Sequence, residues 1–313
     1  MREINFIITL VLFVMLSGYG YAGNNSILPA PKQVSKHVFA WIGPHEGPNV
    51  KNKGYRMNMA FVVGKHSVAV LESGYYPEMA EAMITHIKAI TDKPIKYVIN
   101  SNSQPDRFYG NAAFHKRGIK TYAHAEEIKR MNANANNYAL MHEMVMKFKN
   151  ARLPEPAQNA INKPVSFDLG GGVVIDVSFH KAAHTPLPLI VHVKSDNVVY
   201  AGDILYSGRL LAIVNGGNIK QWRETFNYLK KYKDATFIPG HGQPAKLSAF
   251  EKSTYEYLTL LDLHMSKMLE EDIDMQDAMK RLDQSTYSYL ENYKQLAGKN
   301  ANRAYQEAER AAF

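Results

Sequence analysis

The 313-residue sequence contains no cysteine. That removes disulfides, thiolate catalysis, cysteine ligation of a metal and a lipidated N-terminal cysteine from consideration. Long apolar runs are scarce as well. The longest, residues 6–15, falls short of the about 20 residues that a bilayer-spanning helix needs. Blocks of like charge are missing too: the formal charge is +8, yet lysine and arginine are scattered along the chain. Scattered charge of this kind makes solvated faces and argues against a nucleic-acid partner. No repeat of solenoid period and no low-complexity tract is present. Gly170-Gly171-Gly172 lacks the Gly-Lys-Ser/Thr that completes a phosphate loop, so it reads as a tight turn. His142-Glu143 is followed by Met144-Val145-Met146, without the second histidine of a zincin helix.

The N-terminus carries a positive signal. Arg2 precedes the apolar run, and Gly20-Tyr21-Ala22 is a small-x-small cleavage site, together the parts of a secretory leader. We therefore expect residues 1–22 to be a cleaved signal peptide, the mature protein to reside in a periplasm, and no membrane span to remain. About 290 residues are then left, with material for one large domain or two small ones.

Patterning places strands at 37–41, 60–63 and 67–71, the last two joined by Gly64-Lys65-His66. A helix is expected over 77–90, with Pro77 in its first turn and Met79, Ala82, Met83, His86 and Ile87 on one face. A buried strand at 96–100 follows, then strands at 119–123, 173–179, 189–193, 198–201 and 236–238. Helices are expected at 125–148 and 219–232. Two batches of strands, each with intervening helices, imply two sheets packed face to face with helices outside. From Leu247 the pattern is purely helical, with Tyr257, Leu258, Leu261, Leu263 and Met268 as its apolar positions. We expect a main domain over 23–248 and a helical extension over 249–313 packed against it.

Four polar segments stand at strand ends: residues 102–107, His184-Thr185-Pro186, Gly202-Asp203 and Gly240-His241-Gly242. Each alone is an ordinary turn. In this order and spacing they form a pattern, anchored by Val98-Ile99-Asn100-Ser101-Asn102-Ser103-Gln104-Pro105-Asp106-Arg107-Phe108-Tyr109-Gly110-Asn111. From Val38 to Pro244 the chain resembles the metallo-β-lactamase superfamily, in which an apolar strand leads into His-x-His-x-Asp-His, two residues and Gly-Asn. Ile42-Gly43-Pro44-His45-Glu46 and Asn302-Arg303-Ala304-Tyr305-Gln306-Glu307 are similar to an exported branch associated with sulfur oxidation and quinoprotein systems.

The resemblance implies an α/β (α+β) fold, the four-layer αββα sandwich, with a C-terminal helical extension. It also implies a site for two zinc ions sharing a hydroxide that attacks an ester, thioester or amide carbonyl. Asn102, Gln104 and His184 stand at the positions of the first metal, Asp106, Arg107 and His241 at those of the second, and Asp203 at the bridge. Only Asp106, His184, Asp203 and His241 keep a good ligand type. Neutral amides are poor zinc donors beside imidazole, and a guanidinium has no lone pair to give. Glu72 replaces the family's Asp in its Asp-Thr-Gly turn, Leu187-Pro188 replaces Gly-Asp or Asn-Asp, and Ala183 replaces a Gly.

Two functional expectations follow. The first is a non-catalytic or metal-poor accessory or binding protein, in which Arg107 supplies the charge of a metal and pairs with Asp106 and Asp203. The second is a single-metal hydrolase that holds one zinc, iron or manganese ion on Asp106, His184, Asp203 and His241, with Asp106 and His184 catalytic. In either case Arg107, Asn102, Gln104 and Tyr109 are expected to face a small molecule in the cleft, with a protein partner as a further expectation. His45 and His124, beside the motif segments, read first as structural histidines.

Overall fold

The computed structural model describes residues 27–148 and 151–312, so the expected leader lies outside the described residues. One sheet runs in the order β1 (Lys32–Gln33), β2 (Val38–Trp41), β3 (Met59–Val63), β4 (Val68–Leu71), β5 (Ile95–Ile99), β6 (Lys120–His124) and β7 (Asn159–Ile161). It is antiparallel up to β4 and parallel from β4 onward. The other contains β8 (Val165–Asp168), β9 (Val174–Ser178), β10 (Ile190–Val193), β11 (Val198–Tyr206) and β12 (Thr236–His241), in that order. Only β11 and β12 pair in parallel.

Alternation of side chains along continuous apolar strands makes the layers. In β3, Ala60 and Val62 face the space between the sheets, while Met59 and Phe61 pack outward beneath the Pro77–Ile90 helix. In β11, Val198 and Tyr200 face the same inter-sheet core, while Val199 and Ala201 pack outward against Trp222 and Phe226 of the Ile219–Tyr228 helix. The result is the αββα sandwich. The helices after Leu247 extend the outer layer of the second sheet: Tyr257, Leu258, Leu261, Met265, Ala301 and Tyr305 join the cluster of Trp222 and Phe226. Leu263, read as apolar packing, instead faces solvent and is 61% exposed.

The helix expected over 125–148 is two helices, Ala125–Ala133 and Ala135–Met146. Asn134 separates them with φ −105° and ψ 5°, and its Nδ2 donates to the Arg130 carbonyl. A side chain that satisfies the helix end locally competes with continuation. The two-residue β1 and the three-residue β7 are too short to show a period, whereas β8 alternates apolar and polar over only four residues, Val165 to Asp168, the minimum for a strand pattern.

Asp196 latches the sheets together. Its carboxylate, in the β10–β11 turn, accepts from Ser35 Oγ at 2.5 Å, the His37 backbone N–H at 2.8 Å and Ser195 Oγ at 2.7 Å, and lies 2.7 Å from His37 Nδ1. Burial would raise its pKa, but these bonds outweigh burial and pull it down to about 2. Asp196→Ala is therefore expected to cost about 1.5–3 kcal/mol near neutral pH. A depressed carboxyl stabilises above its unfolded value, so the difference from wild type should shrink as the pH falls from about 3.9 toward 2. Urea unfolding across that range measures it, and a constant difference would show that the latch is not ionic.

Candidate functional site

The motif loop leaves β5 at Ile99 and is tied down by its own asparagines. Asn100 Nδ2 donates to the Arg107 carbonyl at 2.9 Å, and Asn111 Nδ2 donates to Asn100 Oδ1 at 2.9 Å. Asn102 Oδ1 accepts from the Gln104 N–H at 2.8 Å, an Asx turn. Pro105 then opens the single helical turn Pro105–Phe108, where its fixed φ suits the first position. That turn directs Arg107 inward, where it is fully buried.

Arg107 and Asp203 form the centre of the site. Arg107 Nε donates to Asp203 Oδ2 at 2.9 Å and Nη2 to Oδ1 at 2.5 Å, a two-pronged ion pair. Nη1 donates to the Asn58 carbonyl at 3.0 Å, and Nη2 reaches the Gly240 carbonyl at 3.4 Å. Asp203 accepts two further bonds, from Asn102 Nδ2 at 2.9 Å and Tyr206 Oη at 3.0 Å. A carboxylate has about four acceptor positions, and all of them are in use. Burial alone would raise the Asp203 pKa. The Arg107 charge, with His184 and His241 behind it, overrides burial and holds the group well below the usual carboxylate range. Burial likewise opposes the guanidinium charge, and Asp203 and then Asp106 overcome it, so Arg107 stays protonated. Gly240 makes room: a Cβ there would stand 2.3 Å from Asp203 Oδ1.

The remaining predicted positions surround this pair. His241 Nε2 lies 3.6 Å from Asp203 Oδ1, and its Nδ1 donates to the Arg56 carbonyl at 2.9 Å. His184 Nδ1 donates to the Ala212 carbonyl at 2.9 Å, with its ring edge-on to Trp222. Burial lowers the pKa of both, so both are neutral near pH 7. Asp106 stands 3.8 Å from Arg107 Nε, and Gln104 is partly exposed. Tyr109 is placed elsewhere. Its hydroxyl donates to the Arg152 carbonyl at 2.5 Å, its ring stacks on His142, and it lines a cavity that none of the other predicted positions borders. His124 caps a helix, accepting the Glu126 N–H at 3.1 Å.

Three participants were not legible in the sequence. Glu127 is fully buried and bridges two site segments, accepting the Ser103 N–H at 2.9 Å and the Leu187 N–H at 2.8 Å. Arg209 is 3% exposed, with Nη1 3.5 Å from His241 Nδ1. Burial, reinforced by Arg56, lowers its pKa to about 10. Tyr206 completes the Asp203 set. Nothing in residue spacing marks a surface-type side chain as buried, so none of the three carried a signal. Glu72, flagged for replacing an aspartate, is fully buried at φ +72° and accepts the Ser101 N–H at 3.0 Å.

The residues do not fit the paired zinc ions that the motif frame implies. Arg107 occupies the lone pairs of the bridging carboxylate, and Asn102 donates to that carboxylate through its amide instead of offering an oxygen to a metal. Among the described residues, no group of three or more His, Asp and Glu side chains is arranged to hold a metal ion. What the arrangement does chemically is lock the motif loop and its helical turn, the segment before β3, and strands β11 and β12 around a buried ion pair.

Comparison with known proteins places this frame. The family model of the metallo-beta-lactamase superfamily matches residues 54–241. Among curated proteins, metallo-beta-lactamase IND-1 of Chryseobacterium indologenes is 26% identical over 238 residues, covering 74% of this chain and 90% of its own length. The crystal structure of metallo-beta-lactamase IND-7 superposes with a TM-score of 0.58 at 22% identity, covering 73% of this chain and 97% of its own. A metallo-beta-lactamase from Pontibacter korlensis gives 0.57 at 16% identity, over 73% of this chain and 98% of that one.

Proposed function

From the premise that the chain belongs to the metallo-β-lactamase superfamily, we propose that it works without a metal, as an exported, non-hydrolytic binding or accessory protein. The observation that carries this reading is the two-pronged Arg107–Asp203 pair. Hydrolysis on this fold depends on metals that bring a water's pKa near neutrality. A metal placed here would need Arg107 to leave, stripping Asp203 of two charge-assisted bonds, or to stay and repel it. Two unit charges about 4 Å apart interact by roughly 4 kcal/mol at an effective dielectric of about 20, and a divalent ion doubles this. The neutral His184 and His241 each spend Nδ1 on a backbone carbonyl, and neither has a hydroxyl or thiol nucleophile as hydrogen-bond partner. Export to a periplasm rests on the leader pattern of residues 1–22.

The test is elemental analysis of protein expressed with zinc, iron and manganese in the medium and purified without chelator. Metal well below one ion per chain is expected, with no turnover of lactam, ester or thioester substrates. One equivalent of any of these metals, lost in Asp203→Ala, would replace this reading with the single-metal hydrolase on Asp106, His184, Asp203 and His241.

A further inference from the structure

Behind the motif loop, on the side to which Tyr109 points, lies a cavity of about 770 Å³ that the metal-free reading does not use. Its volume falls within the roughly 300–1,000 Å³ of small-molecule pockets. Tyr76, Tyr109, His142 and Met146 wall it, each no more than 4% exposed. His142 lies flat on Tyr109, with ring centroids 4.0 Å apart and planes 11° apart, and stands edge-on to Phe148 at 5.8 Å. Within this apolar and aromatic wall two buried polar atoms, His142 Nε2 and Tyr76 Oη, have no hydrogen-bond partner among the described residues. Such atoms are costly to leave unsatisfied, and native structures rarely do so. Burial lowers the His142 pKa to about 4, so the ring is a neutral hydrogen-bonding group.

The mouth has a different character. Lys53, Lys116 and Arg152 border the cavity, are exposed, and take part in none of the ion pairs among the described residues. Among the described residues of the lining, Glu78 is the only acid. Beside the mouth, the helix that supplies His142 and Met146 turns Leu140, Met141 and Met144 to solvent, 56%, 41% and 64% exposed. Contiguous exposed apolar residues are the surface type from which contact sites are built.

We propose that this cavity binds an anionic amphiphile, its apolar body against the Tyr76–Tyr109–His142–Met146 wall and its carboxylate- or phosphate-type head at Lys53, Lys116 and Arg152. The ligand is either a free long-chain acid or an anionic lipid reached through the exposed face of the Ala135–Met146 helix. Both share this chemistry, and neither involves the Arg107–Asp203 pair.

The test uses a chain beginning at Gly23, which keeps every described element. Calorimetry with dodecanoate and with dodecanol, matched in chain length but not in charge, reads the head-group contribution. Flotation with vesicles of phosphatidylcholine alone, or with phosphatidylglycerol added, separates the two sources. Saturable binding of dodecanoate, or flotation only with phosphatidylglycerol, is expected. Lys53→Glu/Lys116→Glu, on exposed side chains that leave the fold intact, should weaken it at least about tenfold, which corresponds to 1.4 kcal/mol. Dodecanol binding should not change. Equal affinity for dodecanol and dodecanoate, indifference to the charge reversal, or flotation with neutral vesicles would overturn the proposal. So would light scattering that shows a dimer broken by Met141→Ser/Met144→Ser, because the apolar face would then belong to a second copy.

Discussion

Replacing Arg107 by methionine is expected to destabilise the protein by about 3–5 kcal/mol, the cost of removing one partner from a buried ion pair. Asp203, 2% exposed, would keep only Asn102 and Tyr206, while the Asn58 and Gly240 carbonyls would lose their shared donor. Each kcal/mol corresponds to about 2–4 °C of Tm in a domain of 150–250 residues, so the loss should be visible in a simple melt. Arg107→Lys should rescue little, because an ammonium cannot donate to both carboxylate oxygens and two carbonyls in one fixed plane. Arg107→Met/Asp203→Asn should recover a large part, since the uncompensated charge is gone. A loss below about 1 kcal/mol in the single variant would place the pair among ordinary surface ion pairs. The central premise of a guanidinium in place of metal would then fail.

The second large effect is a pH dependence that runs opposite to the Asp196 latch. Burial raises the pKa of Glu72 from 4.5 to about 8, against the lowering effects of Arg107 and the Ser101 hydrogen bonds. Between those values the unfolded chain has lost the proton and the folded chain keeps it, so folding takes up a proton. Stability should therefore fall as the pH rises through this window, by up to about 1.4 kcal/mol per pH unit. Glu72→Gln keeps an oxygen for the Ser101 N–H and cannot ionise. Its advantage over wild type should be small near pH 5 and grow steadily to about pH 8. Urea midpoints of the two proteins across this range give the difference directly. Parallel curves would show that Glu72 is ionised in the folded state, with a partner for its second oxygen.

Much of the architecture was legible because it repeats. The Pro77–Ile90 helix was bounded by its own proline and period, and β3 and β4 by short apolar runs around a glycine turn. β11 and β12 run further than expected, to Tyr206 and His241, so Asp203 and His241 lie within strands instead of beyond them. Register shifts in the β11–β12 pairing, with Gly202 at φ +50°, let these strands carry polar residues inward without ending. A pattern reader stops at the first polar residue and cannot see a bulge. The site was legible as positions and not as partners: the order of Asn102, Gln104, Asp106, Arg107, His184, Asp203 and His241 along the chain marked the frame, while Glu127, Tyr206 and Arg209 left no trace.

The sequence by itself determined the superfamily frame and the chemical types at its seven ligand positions, because order and side-chain identity are local properties of the chain. Only the tertiary structure decided which charges meet. Asp106 is the neighbour of Arg107 in sequence, yet the guanidinium turns to Asp203, and it is Asp203 that takes both prongs at 2.5 and 2.9 Å while Asp106 stays at 3.8 Å. Tyr109, two residues on in the same helical turn, leaves the site altogether, because side chains two positions apart on a helix point about 200° apart. Charge pairing depends on distance and burial, and both are set only when β5, β11 and β12 bring their ends together.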